Sequence, residues 1–231
     1  MIRLFNTDNL EFMRSVPDGF YDLAICDVNY GIQQDGRNNH TRSSLAKSKD
    51  YRGNSKYDSE SPPIEYFGEI RRASKNQIIW GANHFISKIP FDSSCWVVWD
   101  KDNGENDFAD CELAWTSFHT AVRKFKWRWQ GMLQEDMKNK QERIHPNEKP
   151  VALYKWLLKN YAKEGDKIFD SHGGSLSIAI ACGEMGYSLD ACELDVDYFK
   201  DSVARVQRHF TQSNAFMKTP EILVNPLFWI K

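Results

Sequence analysis

Residues 167–195 constrain the fold more than any other stretch of this chain. An apolar strand, Lys167–Asp170, leads into a glycine-rich turn, a helix from about Ile178 to Glu184, and a strand, Leu189–Cys192. This order is the βαβ unit of the Rossmann fold, in which the two strands lie parallel in one sheet. It predicts an α/β protein with a Rossmann-like, mostly parallel central sheet and helices on both faces. A plain βαβ unit that binds no ligand is the alternative interpretation.

The turn itself, residues 171–177, lacks the Gly-x-Gly-x-x-Gly spacing of a dinucleotide site. It follows directly on Asp170, whose negative charge would repel a pyrophosphate. A cofactor with a cationic centre and an amino-acid ammonium group suits this carboxylate better, and S-adenosylmethionine has both. Glu193 ends the second strand at about the separation, roughly 20 residues, at which an acidic side chain holds ribose hydroxyls. Asp195 is the second candidate for that role.

A second buried strand ends abruptly in polar residues. The apolar run Leu23–Cys26 is followed by Asp27, Asn29 and Tyr30. Ligands bind at the carboxyl ends of parallel strands, so we expect a carboxylate, an amide and an aromatic ring to lie together at an active edge. The alternative is an ordinary polar turn with a tyrosine packed beneath it.

Composition excludes several classes of protein. The chain has 231 residues, 41% of them hydrophobic and 27% charged, which fits one soluble α/β domain over residues 1–231. No apolar run approaches the ~20 residues of a membrane span, and the N-terminus lacks a secretion signal. The five cysteines never form a Cys-x-x-Cys pair. We therefore expect a cytoplasmic protein with reduced thiols, no membrane partner and no metal site.

Basic residues are concentrated locally although the formal net charge is −2. Residues 123–129 alternate basic and aromatic side chains, and a strand would place Lys124, Lys126 and Arg128 on one face. This face either contacts the backbone of a nucleic acid or is simply solvated. Residues 33–61 are polar and predict a long mobile loop that leaves the active edge, as a lid or as a disordered segment.

The remaining predicted elements follow from apolar periodicity and from turn and cap signals. They are strands at Ile2–Phe5, Gln77–Gly81, Cys95–Trp99, Leu113–Trp115 and Ala121–Trp129, helices at Leu10–Val16, from Pro63 to Lys75, at Ala82–Ile86, Val151–Tyr161 and Asp197–His209, and an apolar tail over residues 222–230.

Taken together, these motifs resemble the DNA amino-methyltransferases, in the permuted group whose catalytic motif precedes the cofactor motif. Residues 27–30, Asp-Val-Asn-Tyr, are similar to the family's Asp-Pro-Pro-Tyr, and residues 145–150 to its His-Pro-x-x-Lys-Pro. Residues 170–177 resemble the cofactor loop, often written Asp-x-Phe-x-Gly-Ser-Gly. Asp8 stands where the family has an acidic residue near the cofactor adenine. The resemblance spans roughly residues 1–210, and the joint order of the motifs is more specific than any one of them.

The resemblance implies an enzyme that transfers a methyl group from S-adenosylmethionine to adenine N6 in double-stranded DNA, with base flipping, as in restriction–modification systems. It implies catalytic roles for Asp27, Asn29 and Tyr30. It implies cofactor contacts from Asp8, Lys149, Asp170, His172, Gly173, Gly174, Ser175 and Glu193. DNA contacts would come from Arg123, Lys124, Lys126 and Arg128, within a target-recognition region at about residues 120–145. By analogy, a homodimer is expected.

Two departures from the family pattern leave alternatives open. Val28 and Asn29 replace both prolines of the catalytic motif, which removes the fixed φ that would hold the main-chain carbonyl of residue 28. Leu176 replaces the second glycine of the cofactor loop, and Gly173 is gained. The alternatives are a catalytically silent relative that binds cofactor or DNA, and a methyltransferase acting on cytosine N4 or on RNA.

Overall fold

The fold is a single large sheet flanked by helices. A computed structural model describes residues 1–32, 60–103, 109–129, 133–141, 143–145, 147–212 and 219–225. In these ranges the strands are β1 Ile2–Asn6, β2 Tyr21–Asp27, β3 Ser74–Trp80, β4 Val97–Asp100, β5 Cys111–Thr116, β6 Arg123–Lys126, β7 Lys167–Asp170, β8 Ser188–Glu193 and β9 Ile222–Val224. The helices are α1 Asn9–Arg14, α2 Ile64–Ala73, α3 Val151–Tyr161, α4 Ser177–Met185 and α5 Val196–Gln212.

The nine strands described lie in the order β6-β4-β5-β3-β2-β7-β8-β1-β9. Strand β5 runs antiparallel to its two neighbours, β3 and β4, and the other neighbouring pairs are parallel. The predicted mostly parallel α/β sheet is therefore confirmed. Strands β2 and β7, far apart in sequence, are neighbours at its centre.

Helices cover both faces of the sheet, because the central strands are apolar on both sides. In β2, Leu23 and Ile25 join one core together with α3, α4 and α5. The alternate residues Ala24 and Cys26 join the second core, which contains α1 and α2. All four side chains are buried.

Several predicted boundaries were wrong. Strand β3 begins at Ser74, directly after α2, and the short helix predicted at 82–86 is a pair of 3₁₀ turns, Ala82–His84 and Ile86–Lys88. Helix α1 ends at Arg14 because Val16 precedes Pro17, and the residue before a proline disfavours the helical conformation.

The strand predicted at 121–129 was too long. Strand β6 covers only Arg123–Lys126, because its partner β4 ends at Asp100, which is paired with Lys126. The apolar tail contributes β9 at the sheet edge beside β1. Most of the predicted loop at 33–61 lies outside the described residues. Within the described ranges, no helix combines the length and the apolar character that crossing a bilayer requires.

Candidate active site

The carboxyl ends of four adjacent strands, β2, β7, β8 and β1, form the edge at which the predicted site residues meet. Asp27 ends β2, Asp170 ends β7 and Glu193 ends β8. Asn6 ends β1 opposite Glu193, and its side-chain amide donates to the Glu193 carbonyl at 2.8 Å. Residues distant in sequence are therefore brought to one edge by the strand order.

Asp27 lies in a cluster of charged and phenolic groups. The ammonium Nζ of Lys149 is 2.5 Å from Asp27 Oδ1 and 3.0 Å from Glu112 Oε2. The Tyr30 hydroxyl lies 3.0 Å from Asp27 Oδ1 and 3.1 Å from Glu112 Oε2, and it accepts a hydrogen bond from Lys149 at 3.1 Å. Lys101 contacts the other oxygen of Glu112 at 2.5 Å.

The two carboxyl groups of this cluster differ in their electrostatic environment. Burial raises the pKa of Glu112, but Lys149 and Lys101 outweigh it and bring the pKa to about 2. Burial also raises the pKa of Asp27; Lys149 opposes that rise and Glu112 adds to it, and the net pKa is above the usual range. Glu112 is thus a fixed anion beside a more basic Asp27.

The Tyr30 ring is seated on the turn after β3. Gly81 has φ of +73°, and a Cβ atom there would lie 2.0 Å from the ring atom Cε1. Only glycine therefore lets the ring lie at this position. His84 stacks on Tyr30 with ring centroids 5.2 Å apart.

The residues that replace the two prolines differ in burial. Val28 is 3% exposed and belongs to the core that contains α1 and α2. Asn29 is half-buried at the active edge. Packing of Val28 therefore anchors the segment at the position where the family has a rigid ring.

Asp170 has the most unusual surroundings at this edge. Its carboxylate is fully buried; Oδ1 accepts a hydrogen bond from the His172 amide at 3.0 Å, and Oδ2 has no hydrogen-bond partner among the described residues. Burial raises the pKa of Asp170 to about 8. A buried carboxylate oxygen without a partner is unfavourable by itself and matches the ammonium group of an amino-acid cofactor.

The loop after Asp170 is held against β8 by its glycines. The Gly173 amide donates to the Cys192 carbonyl at 2.7 Å, and a Cβ atom at Gly173 would lie 2.8 Å from Leu176 Cδ2. The Gly174 amide donates to Glu193 Oε2 at 2.7 Å. The Glu193 carboxylate thus positions the loop from the carboxyl end of β8.

Leu176 occupies the position of the family's second glycine and keeps a glycine-like backbone. Its φ is +54° and its ψ is +30°, in the left-handed region that L-residues avoid. Its side chain is fully buried. Packing of the leucine side chain therefore helps to hold a backbone conformation that glycine adopts more readily.

His172 and Asp8 lie at the β1 side of the loop. His172 Nδ1 is 2.8 Å from Ser171 Oγ, and Nε2 is 3.2 Å from the Asn9 side-chain amide. Burial lowers the pKa of His172 to about 4, so the imidazole is neutral. Asp8 caps α1 by accepting from the Glu11 amide at 2.9 Å.

An ion pair links the cofactor loop to the segment that carries Lys149. Arg205 of α5 donates to the Ser175 carbonyl at 2.7 Å and to Glu148 Oε1 at 3.0 Å. The Glu148 side chain is completely buried. Lys149 itself forms ion pairs with Asp27 and Glu112, which associate it with the catalytic motif, whereas its cofactor contact stays a prediction.

The basic side chains predicted to contact DNA form ion pairs with acidic side chains of the same region. Lys124 is 3.3 Å from Asp100, and Lys126 and Arg128 are 2.9 and 2.5 Å from Asp102. The opposite side chains Phe125 and Trp127 pack against the core. These contacts match a solvated face above an aromatic one, and DNA contact by this face, including Arg123, stays a prediction.

Sequence reasoning missed Glu112, Lys101, His84 and Arg205. Each is a single polar residue on an element without a motif, and only the folded chain brings it to the site. Glu148 could have been found, because it lies inside the motif at residues 145–150. Among the described residues, no group of three His, Cys, Asp or Glu side chains is arranged to hold a metal ion.

Comparisons with known proteins agree with this geometry. A family model described as DNA methylase matches residues 32–204, about three quarters of the chain. The match begins after Tyr30, so it carries no information on residues 27–30. No curated protein matches the chain.

Several solved structures share the fold. The M1.HpyAVI–SAM complex has a TM-score of 0.55 at 18% identity, over 89% of this chain and 100% of that chain. TTHA0409, a putative DNA modification methylase from Thermus thermophilus in complex with S-adenosyl-L-methionine, has a TM-score of 0.57 at 15% identity, over 99% and 100%. The cytosine-N4-specific PvuII DNA methyltransferase has a TM-score of 0.53 at 13% identity, over 93% and 87%. At these identities the likeness establishes the fold.

Proposed function

The chain belongs to the DNA methylase family, and we propose that it transfers a methyl group from S-adenosylmethionine to the exocyclic N6 of adenine in double-stranded DNA. The observation that carries the proposal is the placement of Asp27 and Asp170 at one edge of adjacent strands. The register pairs Ala24 with Phe169, so Asp27 lies one strand across and two residues beyond Asp170. Strand geometry then separates their Cα atoms by roughly 8 Å. This gap suits a cofactor on one side and a target amine on the other.

The loop residues fit the cofactor by charge. Asp170 Oδ2 would accept from the ammonium group, and the Glu193 carboxylate would accept from the ribose hydroxyls. Asp8, His172, Gly173, Gly174 and Ser175 would line the remainder of this site. When bound, S-adenosylmethionine supplies an electrophilic methyl group on a sulfonium. Two of the solved structures that share the fold contain this cofactor.

Asp27 and Tyr30 fit the target base. Asp27 would accept a hydrogen bond from the target amine, and the main-chain carbonyl of Val28 would accept a second, which favours a nucleophilic nitrogen. The amine has to be held about 3–3.5 Å from the methyl group. A base in a duplex is out of reach until it is flipped out, at a cost of a few kcal/mol. Stacking on Tyr30 would return roughly 1–3 kcal/mol, and Asn29 would contact the base edge.

Cytosine N4 is the second candidate target. A carboxylate at position 27 favours adenine, because the cytosine-N4 members of the resembled family more often carry serine there. The cytosine-N4-specific PvuII enzyme nevertheless shares the fold. The identity of the methylated nucleoside decides between the two.

The proposal is tested by transfer of labelled methyl groups from S-adenosylmethionine to unmethylated genomic DNA. Wild type should label the DNA, and Asp27→Ala should lower the rate by at least about 100-fold, because one hydrogen-bond acceptor at the reacting centre is lost. Asp22→Asn, at the opposite end of β2, is the matched control and should retain the rate. A protein that binds the cofactor and leaves DNA unlabelled would contradict the proposal and favour a silent relative.

A further inference from the structure

We propose that Glu112 and Lys149 are positioning residues that set the orientation and the charge of Asp27. The role of these residues in catalysis rests on the proposed function. Their effect on the ionisation of Asp27 does not depend on it. Neither residue belongs to the Asp-Pro-Pro-Tyr-like motif or to the cofactor loop. Each reaches Asp27 from a separate element, Glu112 from β5 and Lys149 from the segment before α3.

The contacts fix the orientation of the Asp27 carboxylate. Lys149 Nζ and the Tyr30 hydroxyl both contact Oδ1, at 2.5 and 3.0 Å. Glu112 Oε2 contacts the same two groups, at 3.0 and 3.1 Å. With Oδ1 engaged in this way, Oδ2 is the oxygen that would accept from the target amine.

The same contacts also compensate for the missing prolines. A proline restricts the backbone through its fixed φ, and residues 28 and 29 lack that restraint. Here the hydroxyl of Tyr30 contacts Asp27 and two side chains from outside the motif, Glu112 and Lys149, and its ring lies against Gly81 and His84. The two ends of the motif, Asp27 and Tyr30, are thus fixed by a side-chain network.

Charge in the cluster is distributed unequally. Glu112 contacts two lysines, Lys101 and Lys149, whereas Asp27 shares one of them. Pairs of carboxyl groups whose environments separate their pKa values divide into a fixed anion and a proton-exchanging partner. Within the described part of the chain, other titratable groups that act on Asp27 or share its surroundings are Tyr30, Asp170 of β7 and Tyr154 of α3.

Two substitutions should therefore shift the Asp27 titration in opposite directions. Glu112→Gln removes a neighbouring negative charge, so Asp27 should ionise at lower pH. Lys149→Met removes the adjacent positive charge, so Asp27 should ionise at higher pH, with a shift of about one pH unit or more. A purely structural role would not produce shifts of opposite sign.

The test is ¹³C NMR titration of protein with labelled aspartate carboxyl groups, with the Asp27 signal assigned by its loss in Asp27→Asn. Lys75→Met is the matched control, because Lys75 forms a similar pair with Asp22 at 2.7 Å at the other end of β2 and β3. That control should leave the Asp27 titration unchanged. The double variant Glu112→Gln, Lys149→Met should fall between the single variants. Thermal unfolding of each variant verifies the fold.

The acid limb of the methylation rate should move with the titration in each variant. Shifts in the same direction, or an unmoved signal, would overturn the inference. If Lys149→Met does not fold, Glu112→Gln alone decides, because a shift to higher pH or no shift contradicts the account. If the two variants shift the Asp27 titration in opposite directions but the wild type methylates no DNA, the proposed function is rejected. The effect of Glu112 and Lys149 on the charge of Asp27 is then still supported.

Discussion

Single residues determine the chemistry at the carboxyl ends of the central strands. The environment of Asp170 is unusual for a carboxyl group. Its carboxyl group is buried, and Oδ2 has no hydrogen-bond partner among the residues described. Such a group is unfavourable in the free protein and becomes favourable when a cation binds. A site of this kind therefore trades stability for binding.

Replacing Asp170 should raise the stability of the free protein and abolish binding of the cofactor. Burial raises the pKa of Asp170 from its usual value of 3.8 to about 8 in the folded protein. Between these two pH values, the folded protein therefore holds a proton at Asp170 that the unfolded chain has released. Stability therefore falls as pH rises from about 4 to 8, by at most about 1.4 kcal/mol per pH unit. Asp170→Asn should be more stable than wild type at pH 7 in urea unfolding, and should no longer bind S-adenosylmethionine.

The difference in stability between the two proteins should nearly vanish at pH 4, where both side chains are neutral. A variant that is less stable than wild type at pH 7 would show that Asp170 is already satisfied in the free protein.

Motif residues were predictable at this scale, whereas their partners were not. Asp27, Tyr30, Asp170 and Glu193 follow apolar strands, and polar residues at strand ends point to one edge. Glu112 precedes the predicted strand Leu113–Trp115, whereas the structure places it inside β5. Its contact with Lys149 depends on β5 lying beside β3, and nothing in the local sequence specifies that neighbour.

At the scale of elements, the cofactor loop depends on how closely it approaches β8. Gly173 allows that approach, and Leu176 completes it in a left-handed conformation. The sequence shows that Leu176 replaces the second glycine of the family's loop and that Gly173 is gained. It could not show that Leu176 adopts a left-handed conformation, because that depends on the core into which its side chain packs.

Alanine at Gly173 should disrupt this loop. The added Cβ would lie 2.8 Å from Leu176 Cδ2 and 3.2 Å from the Cys192 carbonyl oxygen, so the buried Leu176 side chain or the loop has to shift. We expect a loss of about 1–3 kcal/mol in unfolding free energy and weaker binding of S-adenosylmethionine in calorimetry.

Gly68→Ala is the matched control for this change. A Cβ at Gly68 in α2 meets nothing within 4 Å, so alanine should stabilise the helix by about 0.5–1 kcal/mol and leave binding unchanged. Equal effects of the two alanine substitutions would contradict the proposed packing role of Gly173.

Helix α5 connects the two halves of the site through Arg205. Arg205→Met should destabilise the protein by about 3–5 kcal/mol, because it leaves the buried Glu148 carboxylate without its partner. The double variant Arg205→Met, Glu148→Gln should recover much of that loss in chemical unfolding. A double variant as unstable as the single one would show that Arg205 acts through packing or through Ser175 instead.

At the scale of the whole molecule, the strand order brings together motifs from the two ends of the chain. The resemblance predicted this convergence, since its catalytic and cofactor motifs occur in permuted order. The antiparallel direction of β5 was not predicted, because strand direction depends on the path of the connecting chain. Strand β6 ends where its pairing with β4 ends. The residue pattern of one strand does not show where its partner ends.

Assembly as a homodimer and DNA contact by β6 stay predictions at this scale. Lys124, Lys126 and Arg128 share two carboxylates, Asp100 and Asp102, so the local positive charge is offset only in part. Sequence patterns show where charges are concentrated, whereas their pairing appears only when β4 and β6 are neighbours.

Nucleoside analysis of unmethylated DNA, after incubation with the protein and S-adenosylmethionine, tests the proposed methyl transfer. We expect N6-methyladenine with wild type and with Asp22→Asn, and its loss with Asp27→Ala. N4-methylcytosine would contradict the adenine assignment while retaining the site. The absence of any methylated nucleoside, from a protein shown to bind the cofactor, would contradict the central claim that Asp27 and Asp170 form a methyl-transfer site.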